Sequence, residues 1–213
     1  IDEVSVNKEN KVVYVSVART LKNCADSKDR ITYAIYANGE IVVKATMAPN
    51  SNMSNLQRVG TRLQLAAGLD NLTWYGRGES DSYSDRKTGY DVGAWNSTVD
   101  EQFTNYVYAQ ETGNKTDVRW MAVTDADGDG LLVDAQDHLL EMSALSCTQE
   151  ALEAAKHPYQ IERTDNTVLT IDYAQMGLGT ASCGQATLSK YLLGTGKTYS
   201  YTYRLKPISK STS

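Results

Sequence analysis

Apolar and polar residues alternate with a period of two along most of this 213-residue chain. In residues 11–19 three valines fall on one face, and residues 30–37 and 40–46 continue the pattern with Ile, Val and Tyr. Because successive side chains of a strand point to opposite faces of a sheet, the alternation favours β-strands over helices. The chain is therefore predicted to fold mainly as antiparallel sheet.

Turn signals join several of these strands into hairpins. Asn38-Gly39 lies between two β-branched runs and predicts a tight turn with positive φ at both positions. Residues 118–124 and 130–135 are predicted to form a second hairpin. Further strands are predicted at residues 58–67, 89–95, 139–146, 168–173 and 197–206.

One segment departs from the alternation. Thr148 precedes a run of good helix formers that ends at Lys156, and His157-Pro158 follows. Many strands with one short helix are typical of packed antiparallel sheets. We therefore predict an all-β fold, a large antiparallel β-sandwich with one short helix.

Charge and composition exclude several classes of function. The net charge of −5 gives no electrostatic support for binding nucleic acid, and no run of Lys or Arg suits an anionic membrane. No apolar stretch approaches the roughly 20 residues of a membrane span. The first residues have no basic and apolar regions like those of a signal peptide, and they begin within an apparent strand, so we expect part of a longer protein.

The cysteines do not identify the cellular compartment of the protein. Cys24, Cys147 and Cys183 are widely spaced and odd in number, which favours free thiols over a disulfide framework, although one bridge stays open. The compartment is left open between cytoplasm and periplasm.

Three segments carry a family resemblance. The segment 74–86 resembles the pattern W-x-G-x-G-P-x-E-N-Y-x-D-R, with matches at Trp74, Gly76, Gly78, Tyr83, Asp85 and Arg86. The segment 106–114 resembles Y-V-x-P-Q-E-N-G, and 171–184 resembles a segment containing I-D-x-x-Q-M-G-x-G. These matches run in order from about residue 63 to 205, and they resemble the C-terminal small-chain domain of family-2 β-galactosidases. Departures from the patterns occur at Glu79, Asp81, Ser82 and Ala109.

The resemblance implies a supersandwich fold related to galactose mutarotases, covering residues 1–213, with the domain's initial strands preceding Ile1. It implies a homo-oligomeric parent that hydrolyses terminal β-D-galactosides with retention, using two carboxyl groups about 5–5.5 Å apart. Both are Glu residues of a preceding barrel domain, so no catalytic residue is expected here and the chain alone should be inactive. The resemblance implies no cofactor for this chain; any Mg or Na ion would belong to the barrel.

The resemblance also indicates a substrate-lining segment. The loop after residue 179 is expected to reach the barrel domain and the bound β-galactoside. Cys183 takes the position at which some members place a Trp against the sugar, so Ser182, Cys183 and Gly184 are the candidate lining residues. The alternative is a buried structural Cys beneath a Gly-rich turn.

The acidic clusters are interpreted as structural features rather than as metal or catalytic sites. Asp125, Asp127 and Asp129 have the spacing of a calcium loop, but Gln136 replaces its bidentate Glu, so a hairpin turn is favoured over a cation site. Asp85 and Arg86 are expected to form an ion pair that braces their loop.

Two other classes of function remain as alternatives. A carbohydrate-binding module would need exposed coplanar aromatics, yet Trp74 and Trp120 are expected in the core, with Trp95 less clear. A mutarotase-like aldose epimerase would need a His facing a Glu across one cavity. His157 is instead expected to cap carbonyls or pack at the helix end, and His138 is expected to be exposed.

Overall fold

The computed structural model describes residues 1–179 and 184–210, and its secondary structure there is dominated by antiparallel strands. The described residues contain one α-helix, α1 at Gln149–Ala154. The all-β prediction with one short helix is therefore confirmed. The strands are β1 Glu3–Glu9, β2 Val12–Leu21, β3 Ser27–Ile35, β4 Ile41–Ala48, β5 Asn55–Leu56, β6 Arg58–Gln64, β7 Asn71–Arg77, β8 Val92–Thr98, β9 Lys115–Val118, β10 Trp120–Thr124, β11 Gly130–Ala135, β12 Leu140–Leu145, β13 Val168–Gln175, β14 Leu193–Gly194 and β15 Tyr199–Ile208.

The described strands pair into one large sheet, one smaller sheet and a short two-stranded ribbon. The large sheet has nine strands in the order β1-β2-β3-β4-β15-β11-β10-β7-β8, and the smaller has four in the order β6-β13-β12-β9. The ribbon pairs β14 with β5. No described helix is long and apolar enough to cross a membrane.

The main core lies between the two larger sheets. Val43, Met121 and Val133 point inward from the large sheet, and Met142 and Leu169 face them from the smaller one; all five are fully buried. Burying each such side chain contributes about 1.5–3 kcal/mol. The alternation along the strands thus gives a sandwich with one buried face per sheet.

One edge of the large sheet extends beyond the smaller sheet. Val6 pairs with Val15, which pairs with Tyr33, and that residue pairs with the buried Val43, so all four lie on the core side. Val6 is nevertheless 68% exposed. We call this region the valine face; it comprises Val4, Val6, Val13, Val15 and Val17.

The predicted hairpin turn at Asn38-Gly39 is present, but its geometry differs from the prediction. Gly39 N donates to Tyr36 O at 3.1 Å, and only Gly39 has a positive φ, +85°, while Asn38 does not. The loop is therefore a turn followed by a Gly bulge, one of the common three-residue hairpins. Two consecutive positive φ values occur instead between β1 and β2, at Asn10 and Lys11.

The second predicted hairpin, β10 with β11, is confirmed, but its first strand is shorter than expected. Val118 belongs to β9 in the smaller sheet, and Asp117 just before it has a φ of +53°. The chain thus passes from one sheet to the other across Arg119. Periodicity could not show this, because both strands alternate in the same way.

The predicted helix is confirmed and begins as expected. The side chain of Thr148 accepts a hydrogen bond from Ala151 N at 3.1 Å, which satisfies one free N–H of the first turn. The helix ends two residues earlier than predicted, because Ala155 is extended and buried. Ala155 belongs to a second apolar cluster, whose buried members are Ala109, Leu145, Cys147, Leu152, Ala155 and Ile161. Cys147 belongs to the same cluster, and both Cys24 and Cys147 are free thiols, as predicted.

Candidate functional site

A cleft of about 560 Å³ opens between α1 and the segment that follows β13. The residues that line it include Arg58, Glu111, Glu150, Gln175 and Leu178. The segments 106–114 and 171–179, which carry the resemblance, therefore meet at one place.

An arginine at this cleft lies between two acids. Arg58 donates to Glu111 Oε1 at 2.9 Å, and its Nε lies 2.9 Å from Asp172 Oδ2. Asp172 is only 1% exposed, and burial raises its pKa to about 8 although the guanidinium acts in the opposite direction. The guanidinium of Arg58 is thus paired with carboxyl groups of the same chain.

Amide side chains complete the buried network. Gln175 Nε2 donates to Asn114 Oδ1 at 3.0 Å, and Asn114 Nδ2 donates to Glu141 Oε2 at 3.0 Å. The same Glu141 oxygen accepts from the backbone N of Gln175 at 3.2 Å. Burial raises the pKa of Glu141 to about 7. The network ties the strand that leads into the 176–179 segment to β12.

Glu150, which also lines the cleft, is paired with an arginine as well. Glu150 accepts from Arg62 at 2.7 Å, and this hydrogen bond lowers the pKa of Glu150 to about 2. A general acid needs a carboxyl group that is protonated near the working pH and reaches the substrate. Glu150 fails the first condition, and the buried Asp172 and Glu141 fail the second.

Asp85 holds the segment that leaves the cleft. Its carboxylate accepts from Leu178 N at 3.1 Å and from Gly179 N at 2.6 Å. On the other side, Thr187 donates to Gly177 O at 2.7 Å. The backbone of residues 177–179 is therefore held from two directions.

The prediction that Asp85 and Arg86 form an ion pair was wrong. Arg86 pairs with Asp81 at 3.1 Å and donates to Tyr106 Oη at 2.9 Å. Asp85 points instead to backbone N–H groups, which sequence reasoning could not foresee because they lie more than 90 residues further along the chain.

Two of the three candidate substrate-lining residues, Ser182 and Cys183, lie outside the described residues. Gly184 is described and is exposed. Beside it, a second cleft of about 410 Å³ opens between Asp85 and Leu188. The stretch expected to line the sugar thus follows in sequence directly after the residues that Asp85 and Thr187 hold.

The three aspartates with calcium-loop spacing form a turn, as predicted. Asp125 Oδ1 accepts from Asp127 N at 2.9 Å and from Asp129 N at 3.0 Å, while Asp129 accepts from Ser209 at 2.7 Å. Across residues 1–179 and 184–210, no group of three or more His, Cys, Asp or Glu side chains is placed to hold a metal ion.

The tryptophans do not form one platform. Trp74 is buried, and its strand partner Trp95 is partly buried against the same core. Trp120 was expected in the core but is half-buried on the opposite face, where its ring centroid lies 6.4 Å from that of Tyr75. The glycine of the W-x-G pattern is structural: a Cβ at Gly76 would lie 3.0 Å from Val118 Cα of the facing strand.

Neither histidine lines the large cleft. His157 stacks on Tyr159 with ring centroids 5.5 Å apart, and Gln160 Oε1 accepts from the backbone N of His157. His138 was expected to be exposed, yet its ring packs 4.7 Å from Tyr173 and is about one-third exposed. His157 thus stacks on its neighbour at the surface, beyond the end of the helix, whereas the prediction for His138 was wrong.

Sequence reasoning missed the cluster around Arg58. Glu111 and Gln175 lie in the segments that resemble the family but were not selected as site residues. Their place in those segments was the one sequence signal that pointed to the cluster. Arg58 stands in a region without a motif, so only the pairing of β6 with β13 brings it to Asp172.

Comparisons with known proteins agree along nearly the whole chain. A family model described as "Beta galactosidase small chain" matches residues 1–205. A "Beta-galactosidase" from Priestia megaterium is 36% identical over 98% of this chain and 20% of its own length. One from Streptococcus thermophilus is 27% identical over the same shares.

Solved structures give a weaker likeness. A GalM/aldose epimerase homologue from C. elegans has a TM-score of 0.47 at 10% identity, covering 97% of this chain and 68% of that chain. A putative mutarotase from Salmonella typhimurium has a TM-score of 0.48 at 10% identity, covering 97% and 64%. The chain spans about a fifth of the length of the curated relatives it matches, and on the family match it belongs to the beta galactosidase small chain family.

Proposed function

We propose that this chain is the non-catalytic C-terminal domain of a retaining β-galactosidase and contributes a loop to the rim of the active site. The catalytic Glu pair, and any Mg or Na ion, would belong to a barrel domain of the same polypeptide. Ser182, Cys183 and Gly184 would line the sugar. The parent enzyme would be a homo-oligomer.

One observation supports the non-catalytic role most directly: four carboxyl groups in or near the cleft are paired with arginines or buried. Glu111 and Glu150 bind arginines, while Asp172 and Glu141 are buried in the network below. Retaining hydrolysis needs two carboxyl groups, roughly 5–5.5 Å apart, on either side of a bound glycosidic bond. These four carboxyl groups have structural roles instead.

The rim role is supported by the way residues 177–179 are held. Leu178 is 40% exposed between the two clefts, and Leu188 is 55% exposed on the returning side. Exposed apolar side chains on a backbone that is held from two sides suit contact with another surface. We assign that surface to the barrel domain.

The first test assays the 213-residue chain alone with a chromogenic β-galactoside. We expect no turnover above the buffer rate. Turnover that copurifies with the chain and survives removal of contaminating enzyme would refute the proposal. Galactose affinity measured by calorimetry on the same sample would favour a binding module, and accelerated mutarotation of α-D-galactose would favour an epimerase.

The second test grafts this chain into the Priestia megaterium enzyme in place of the matching segment. We expect the chimera to regain activity relative to the same enzyme with that segment deleted. An inactive chimera that folds with native-like circular dichroism and assembles like the parent would contradict the rim role.

A further inference from the structure

The carboxylate of Asp85 is fully used by two neighbouring backbone groups. One oxygen accepts from Leu178 N at 3.1 Å and the other from Gly179 N at 2.6 Å. Hydrogen bonds to an ionised acceptor are shorter and stronger than neutral ones. An isosteric amide could accept only one of them and would turn an NH₂ group toward the other N–H.

Two glycines make this close approach possible. A Cβ at Gly177 would lie 2.7 Å from Asp85 Cγ and 2.9 Å from Tyr191 Cβ. A Cβ at Gly179, where φ is +65°, would lie 2.7 Å from Thr187 N. The backbone therefore fits between the loop that carries Asp85 and the chain at 187–191, with no room for a side chain at residue 177 or 179.

The held segment belongs to both clefts. Gly177 and Leu178 line the large cleft, and Leu178 and Gly179 line the second one together with Asp85. A shift of this backbone would move the walls of both openings and the point from which the chain continues to residue 180.

We propose that Asp85 is a positioning residue for substrate binding: it holds the backbone of residues 177–179 and thereby sets the shape of the two clefts that this backbone lines. This inference rests on the proposed function. Asp85 itself touches no substrate and acts only through the backbone it holds.

The first arm of the test needs only the 213-residue chain. We expect Asp85→Asn to speed amide hydrogen exchange at Leu178 and Gly179 by about tenfold or more, since a charge-assisted bond is lost. Asp125→Asn is the matched control, because Asp125 also accepts from two backbone N–H groups, in a distant turn. Unchanged exchange at both amides in Asp85→Asn would overturn the anchoring.

The second arm uses the chimera with the Priestia megaterium enzyme. We expect Asp85→Asn to raise KM for a β-galactoside by about tenfold with kcat changed less than about twofold, since a lining stretch binds ground and transition states alike. Asp125→Asn should leave KM unchanged at equal folded fraction. Faster exchange in the chain with an unchanged KM would overturn the positioning role. A wild-type chimera without activity would refute the proposed function and this role with it, while the exchange arm would still decide whether Asp85 holds the segment.

Discussion

At the scale of single residues, a glycine creates the environment of the most deeply buried acid. Gly60 pairs with Asp172 across β6 and β13, and a Cβ at Gly60 would lie 1.7 Å from Asp172 Oδ1. The missing side chain therefore leaves the space that the carboxyl group fills. Inside that space burial dominates over the neighbouring Arg58, so the pKa of Asp172 rises to about 8.

This shift predicts that stability falls with rising pH. Because the folded-state pKa of Asp172 lies above the unfolded value of about 3.9, its contribution is complete below that pH and is lost as the pH rises through about 8. Asp172→Asn resembles the protonated form. Its free energy of unfolding, measured with urea, should therefore fall less between pH 5 and pH 9 than that of the wild type.

Burial lowers the pKa of Lys115 to about 8, so Lys115 also titrates in this range. Its effect on the free energy of unfolding is the same in the wild type and in Asp172→Asn, and it therefore cancels when the two are compared. Asp127→Asn, in an exposed turn, should keep the wild-type slope. Equal slopes for Asp172→Asn and the wild type would show that Asp172 does not titrate in this range.

At the scale of elements, α1 is too short to be stable by itself. A six-residue helix forms few internal hydrogen bonds, so it depends on its cap and on packing. Thr148 supplies the cap, and Leu152 is buried in the second apolar cluster. The helix in turn places Glu150 at the wall of the large cleft.

Removing the cap should measurably weaken the protein. Thr148→Ala loses the acceptor for Ala151 N and should reduce the free energy of unfolding by about 1 kcal/mol. Thr148→Ser keeps a hydroxyl acceptor and should stay within about 0.5 kcal/mol of the wild type. Chemical denaturation of both variants checks this, and equal losses would show that the cap contributes nothing.

The sequence predicted local structure better than it predicted contacts between distant segments. The alternation located most of the strands, and the Thr148 cap located the start of the helix, because both signals lie within a few residues. The crossing between sheets near Val118 and the backbone partners of Asp85 depend on how distant strands pack. The same holds for the cluster of Arg58, Glu111 and Asp172, whose members are more than 50 residues apart.

At the scale of the whole molecule, the two larger sheets differ in width. Nine strands face four, so the valine face lies on the core side of the large sheet without a described layer opposite it. Val4 is 57% exposed and Val6 is 68% exposed. Exposed apolar patches of this kind promote association with other surfaces.

A charge on this face should therefore improve the behaviour of the chain in solution. We expect Val6→Lys to lower self-association in sedimentation velocity and to reduce binding of an apolar dye, with little change in unfolding. Asn7→Lys adds the same charge on the opposite face of the same strand and is the matched control. If both substitutions had the same effect, the change in net charge would explain it and the valine face would not.

The position of β15 has a consequence for how the protein is made. This strand pairs with β4 on one side and β11 on the other, and it is the described connection between the first four strands of the large sheet and the last four. A ribosome adds roughly 5–20 residues per second, so the earlier hairpins emerge and wait before residues 199–208 are available. The two halves of the sheet can join only when that strand inserts between them, which makes the final assembly a late event in biosynthesis.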